Sequence, residues 1–226
     1  MVSFAAVAMA ACSNRPPDDT ADYLSKVANG RAAKDADFGS GSDPIPTANH
    51  AEFLPLAYFP VDPAYKVLAG LKAATENVEL MMPTSTGQRR KMRRVGMMQF
   101  TLKGQQMSLA AFNEVGAPDM NQLTLMFSDM TSGTETYAAG RYIDLERTAS
   151  DIYNLDFNLA YHPYCYYNPT YECPYPPAEN RLEGPIHAGE RLKKTSEALP
   201  PTNGRVPDGA SPINPATLPR SAGRSS

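Results

Sequence analysis

Along much of this chain the apolar residues recur with a period of two. Tyr65, Val67, Ala69 and Leu71 alternate with Lys66, Leu68, Gly70 and Lys72, and Val78, Leu80 and Met82 alternate with Asn77, Glu79 and Met81. That period sends one face of a strand to a core and the other to water, so two strands are expected here. Met98, Phe100 and Leu102, then Met107, Leu109 and Ala111, flank Lys103-Gly104-Gln105, which reads as a hairpin with glycine at its tight position. Residues 123–128 are the most apolar run and are expected as a central strand. Residues 131–140 are polar and read as a turn before a strand at 141–146. Tyr153, Leu155, Phe157, Leu159 and Tyr161 alternate with Asn154, Asp156, Asn158 and Ala160. This is the clearest strand signal in the chain, and its polar face is expected to carry Asp156 and Asn158 to one side.

Only one stretch has a helical pattern. Residues 20–35 place Tyr23, Leu24, Val27 and Ala28 on one face, with Asp18, Asp19 or Thr20 available as the cap, and this helix is expected to dock on a sheet edge. Residues 39–47 are rich in Gly, Ser, Asp and Pro and read as a loop leading to the apolar segment 53–59. With six to nine short strands and one helix, the fold class is mainly β. The expected architecture is an antiparallel β-barrel or sandwich with an N-terminal helix and a proline-rich wrapping arm. One domain is expected over 20–194, after a linker at 13–19, and the Pro/Ser/Gly/Ala/Arg-rich tail 195–226 is expected to be disordered.

The arm is the segment 161–190, YHPYCYYNPTYECPYPPAENRLEGPIHAGE. Prolines at 163, 169, 174, 176 and 177 exclude a helix or a central strand, while six of the chain's twelve tyrosines supply apolar area for packing. Cys165 and Cys173 stand eight residues apart across Asn168-Pro169, a turn that lets the two sulfurs meet.

The formal charge of −3 argues against a nucleic-acid binder, which needs a basic excess to neutralise phosphates. The cluster Arg89, Arg90, Lys91, Arg93 and Arg94 reads either as a solvated hairpin end beside Gly87 or as a patch for an acidic partner. Residues 1–12 run MVSFAAVAMAAC, similar to a lipoprotein signal ending at a lipidated Cys12. That predicts a membrane anchored protein of the bacterial cell envelope facing the periplasm, and Ser13 rather than Asp points to the outer membrane. With Cys12 set aside, Cys165 and Cys173 remain as an even pair, expected as a disulfide.

The segments FSDMTSGTETYAAGRY at 127–142, LDFNLAYHPYC at 155–165, CPYPPAENRL at 173–182 and IHAGE at 186–190 resemble the DUF1684 family, a domain of unknown function. The resemblance runs from about Arg31 through FLPLAYFP at 53–60 to Glu190. It departs at His162, where relatives commonly carry Asn before the proline. It implies a shared fold and brings no activity with it.

Candidate chemistry follows from residue types. Asp129, Asp156 and Glu179 are carboxylates suited to acid–base work, and Arg141 and Arg181 can hold an anion through a bidentate fork. Glu135 belongs with the carboxylates. Thr136, Tyr137, Asn158 and Asn180 complete the candidate ligand-binding set, placed where the 131–141 turn meets the arm. The opposing reading is that these groups pin the arm through internal hydrogen bonds. Cys165 and Cys173 with His162 and His187 are ligand types for zinc or copper, but a cysteine pair in an oxidising compartment is expected as a disulfide, and neither metal nor cofactor is expected. No phosphate-binding glycine loop, G-x-S-x-G or H-E-x-x-H occurs in the sequence. The leading expectation is an envelope β-domain that binds a small anionic ligand or an envelope protein. An enzyme using Asp129, Arg141, Asp156 and Glu179 is the alternative, and a metal carrier trails.

Overall fold

A computed structural model describes residues 19–41, 43–119 and 121–193. The two alternating runs at 65–72 and 78–82 belong to one long strand, β1 (Lys66–Pro83). Its register against β2 (Arg89–Leu102) shifts between Ala73 and Val78. The apolar residues on its two sides face opposite ways: Ala69 and Leu71 before it pack in the interior, whereas Met82 after it packs in a cluster on the outer face, and residues of opposite parity along a strand point to opposite faces. β2 shifts at the same level, between Arg94 and Gly96. Gly96 is required there: a Cβ would collide with the Lys72 carbonyl oxygen on β1.

β3 (Gln105–Glu114) pairs with β2 across a turn in which Lys103 and Gly104 both have positive φ, the geometry of a tight two-residue hairpin. β4 (Gln122–Phe127), β5 (Arg141–Glu146) and β6 (Ile152–Asp156) complete a six-stranded antiparallel sheet of order β5-β4-β3-β2-β1-β6. The sheet curls until its edges meet. Tyr142 on β5 and Tyr161, just past β6, exchange backbone hydrogen bonds of 2.9 and 3.0 Å, so the barrel is nearly closed and neither edge is bare at this point.

Met98, Phe100, Leu109, Leu123, Phe127 and Phe157 fill the interior. The opposite face carries a second cluster, in which Met82, Met92, Phe112, Met126 and Tyr142 are covered by Cys165 and Cys173 of the arm. β4 lies next to the edge strand rather than at the centre as expected from its composition; Leu123, Leu125 and Phe127 face the interior, and on the outer face Met126 is buried in the second cluster while Gln122 and Thr124 are polar.

The arm is a belt. It forms a short helix, α3 (Tyr164–Tyr167), meets Thr84 at Pro174, runs parallel to Ser128 at Arg181, and pairs with Tyr58 at Glu190. α1 (Asp19–Ser40) is longer than expected and turns differently. Leu24 is exposed, and the packed stripe runs Tyr23, Val27, Arg31, Lys34 and Phe38. Two of those five are charged, so hydrophobic periodicity does not follow the stripe past Ala28. Phe38 enters a third cluster with Ile45, Leu56 and Tyr167. α2 (His50–Phe53) leads into that region.

Candidate functional site

The nine candidate ligand-binding residues go to three separate places. Asp129, Thr136 and Arg141 form a sealed clamp. Arg141 donates to Asp129 Oδ2 at 2.8 Å, to the Ile186 carbonyl at 2.8 Å, and to the carbonyls of Ala188 and Glu190. Asp129 Oδ1 accepts from the Thr131 amide and hydroxyl and from the Ile186 amide, and the Thr131 and Thr136 hydroxyls share a hydrogen bond. The side chains of Arg141 and Asp129 are 0% and 1% exposed. Burial lowers the Arg141 pKa and the neighbouring Asp129 opposes that, and the guanidinium stays charged inside the protein. The adjacent Tyr137 amide donates to His162 Nε2 at 3.2 Å.

Glu179, Asn180 and Arg181 form the second place. The Asn180 side chain accepts from the Ala110 amide and donates to the carbonyls of Ala110 and Met126. It thereby bridges β3 and β4 where their ladder is thinnest, at the single register pair Phe112 and Thr124. Exposed Glu179 accepts hydrogen bonds on both oxygens from half-buried Arg94, at 3.2 and 3.0 Å, while the Arg181 side chain lies on the surface. Three more of the basic cluster pair with the chain's own carboxylates, Lys91 and Arg93 with Glu79 and Arg90 with Glu114 and Glu172, while Arg89 donates to the Met81 carbonyl, as at a solvated hairpin end.

Asp156 and Asn158 occupy the third place and differ from expectation. β6 ends at Asp156, whose Oδ1 accepts from the Asn158 amide and starts a tight helical turn. Neither residue projects from a polar strand face; both are buried. Tyr23 of α1 donates to Asp156 Oδ2 at 2.9 Å, and Asn158 Nδ2 donates to the Tyr23 hydroxyl and the Asp62 carbonyl. Of the nine, these two alone line an open cavity of note, a cleft of about 560 Å3 between α1 and the barrel seam.

Residues the sequence did not single out build most of that cleft. Lys26, Arg31 and Lys34 come from α1 and Lys66 from β1, with Tyr23, Tyr58 and Tyr161 between them. Arg31 donates to the carbonyls of Phe59 and Asn158 and stacks 4.4 Å over the Tyr58 ring. At the floor lies Glu190, 1% exposed. Its Oε1 accepts from Lys34 Nζ at 2.5 Å, and its Oε2 accepts from the His162 amide and the Tyr167 hydroxyl, each at 2.7 Å. Lys34 and Glu190 are 156 residues apart, and only the tertiary fold brings them together.

His162 is 1% exposed. Its Nε2 accepts from the Tyr137 amide, so its proton sits on Nδ1, 3.9 Å from Glu190. Burial, with the charges of Arg141 and Lys34, pushes its pKa well down, and the ring is neutral. Burial raises the phenols of Tyr58, Tyr161 and Tyr167, so they serve as protonated donors.

The expected disulfide is not formed here. Cys165 and Cys173 are free thiols in the second cluster, with the Cys165 amide donating to Cys173 Sγ at 3.2 Å. Donation to Cys173, then burial, raises Cys165; the hydrogen bond received from Cys165 lowers Cys173 to about 7. His187 pairs with Glu135 at 3.0 Å, away from the thiols. Among the described residues no three His, Cys, Asp or Glu side chains gather as metal ligands.

A nearly closed antiparallel barrel, belted by a proline-rich arm and crossed at its seam by a helix that roofs a cationic cleft, is the class of protein defined here. The chain belongs to the DUF1684 family, described as a protein of unknown function, whose model matches residues 51–191. A similar solved structure is the solution NMR structure of the uncharacterized protein from gene locus rrnAC0354 of Haloarcula marismortui. It is 36% identical, with a TM-score of 0.61 over 77% of this chain and 96% of that one. No curated protein matches.

Proposed function

We propose that this protein binds a small anionic ligand in the cleft beneath α1. The observation that carries this reading is the imbalance of charge in the cleft. Lys26, Arg31, Lys34 and Lys66 line it against two carboxylates, Asp156 and Glu190. Both carboxylates already accept hydrogen bonds, from Tyr23 and from Lys34 and Tyr167. Among the described residues Lys26 and Lys66 form no ion pair, and the buried Tyr58 hydroxyl has no hydrogen-bond partner. A concave site with convergent cations and a low-dielectric aromatic wall strengthens attraction for an anion. The carboxylate and arginine pairs that acid–base catalysis would need are consumed elsewhere: Asp129 with Arg141, and Glu179 with Arg94. In this reading Cys12 carries the lipid, so the cleft samples ligands at the periplasmic face of an envelope membrane.

Inorganic phosphate and citrate, titrated into 15N-labelled protein, test the site. Amide shifts confined to α1, β6 and the start of β1 are expected, and they should vanish in Lys26→Ala/Lys66→Ala. The melting temperature of that variant should stay close to wild type, because exposed charges contribute little to folding. Shifts that persist unchanged in the double variant count against the cleft.

A further inference from the structure

Beside the cationic cleft, on the other side of the middle of α1, lies a second cavity of about 690 Å3, and the two share Gly30, Lys34 and Tyr161 as lining residues. We infer that the two cavities form one site and that its ligand is an acidic saccharide: an anionic group bound at Lys26 and Lys66, carried on a body of hydroxylated rings that lies along the tyrosines of the second cavity. This rests on the anion-binding reading above and extends it.

The two halves differ in chemistry. The second cavity contains Lys34 and Arg90 against Asp37, Asp144 and Glu172, so it lacks the positive excess of the first and does not suit a second anion. Its walls are aromatic. Tyr161 donates its hydroxyl to Asp144, Tyr171 to Asp43, and Tyr142 to the Pro174 carbonyl. With their hydroxyls engaged, the half-buried Tyr161 and Tyr171 have mainly ring surface left to offer, and Tyr164, 44% exposed, packs edge-on to Tyr171 at 5.3 Å. Ring surface interleaved with carboxylates suits a body that has both apolar C–H faces and hydroxyl donors, which is the chemistry of a sugar ring. A peptide fits less well. The seam backbone at Tyr142 and Tyr161 is already paired with itself, so the groove offers no strand edge to extend.

Gly30 is the second line of argument. It sits in the interior of a 22-residue helix, where glycine is unfavourable relative to alanine. A Cβ built on it meets nothing within 4 Å, so packing does not demand glycine there. Its position at the junction of the two cavities gives it a different role, that of leaving the passage open.

Trigalacturonate is the probe. Wild-type protein should bind it at least tenfold more tightly than it binds phosphate, and than it binds the methyl-esterified trisaccharide, with amide shifts near both Lys66 and Tyr164. Gly30→Leu should melt no lower than wild type, since leucine is a good helix former and the space is open, yet lose at least tenfold in trigalacturonate affinity. Tyr164→Ala, at an exposed position, should lose affinity for trigalacturonate and keep it for phosphate. If phosphate binds and trigalacturonate binds no better, the anion site stands and the saccharide inference falls. If neither binds, both fall together. Undiminished binding in Gly30→Leu, or tighter binding of trialanine with shifts across the same two cavities, overturns the inference in favour of separate cavities or a peptide ligand.

Discussion

Arg141 has no accessible surface, yet it carries a charge, and each of its stated bonds reaches a different part of the belt or the loop that precedes β5. Arg141→Ala would strand Asp129 as an uncompensated buried carboxylate, so unfolding experiments should show a loss of about 3–5 kcal/mol. Arg181→Ala, on the surface, should fall within about 0.5 kcal/mol of wild type. His162 gives a second residue-level expectation. Its folded pKa is depressed below the ordinary 6.5 by burial, so below that pH the unfolded chain takes up a proton that the folded protein refuses. Its contribution is therefore fully present above about pH 6.5 and is lost as pH falls further, with a limiting slope of about 1.4 kcal/mol per pH unit. His162→Asn keeps an acceptor for the Tyr137 amide and removes the titration. The stability difference between the two proteins should shift in favour of the variant on going from pH 7 to 5, and a constant difference would show that the ring titrates normally.

At the scale of elements, the belt replaces what the sheet lacks. Asn180 stands in for ladder hydrogen bonds between β3 and β4, and the Cys165 and Cys173 segment covers the methionine-rich outer face. The two thiols lie side by side, and the thiol of Cys173 is poised near neutral pH by the bond from Cys165. With Cys12 replaced by Ser, oxidised glutathione should convert the pair to an intramolecular disulfide, releasing reduced glutathione and leaving no thiol titratable after unfolding. The cross-link should add about 2–3 kcal/mol of stability by restricting the unfolded chain. Two thiols still titratable after that treatment would show that the belt holds the sulfurs apart. α1 is the complementary case, an element whose docking stripe includes two charged residues, Arg31 and Lys34, so that apolar periodicity does not report the face that packs.

For the whole molecule, the closing contact of the barrel is a single bridge between Tyr142 and Tyr161, reinforced from outside by α1 and the belt. The cleft exists only because helix, seam and belt terminus converge on Glu190. Anchoring at Cys12 would fix where that cleft operates. Fractionation of cells expressing the full chain should place wild type with the membranes and Cys12→Ser in the soluble periplasmic fraction at a different size. An unprocessed Cys12→Ser protein that remains in the membrane fraction at its original size would remove the lipid anchor from the account.

Local chemistry determined what could be read along the chain. Period-two alternation marked β1, the β2–β3 hairpin and β6, the polar turn at 131–140 marked the start of β5, and prolines excluded a long helix or a central strand from the arm. The family, too, was legible, because motifs such as CPYPPAENRL are contiguous. Tertiary structure alone decided which polar residues are pins and which line a cavity. Asp129 and Arg141 look like a site and are sealed, because a proline-rich belt cannot pair its own carbonyls and draws buried donors to itself. Lys34 and Glu190 looked like nothing in particular, since no local pattern reports a contact between residues separated by most of the domain. The same physics explains both failures: a side chain's role is set by what desolvates and neutralises it, and that environment is assembled only when distant segments pack.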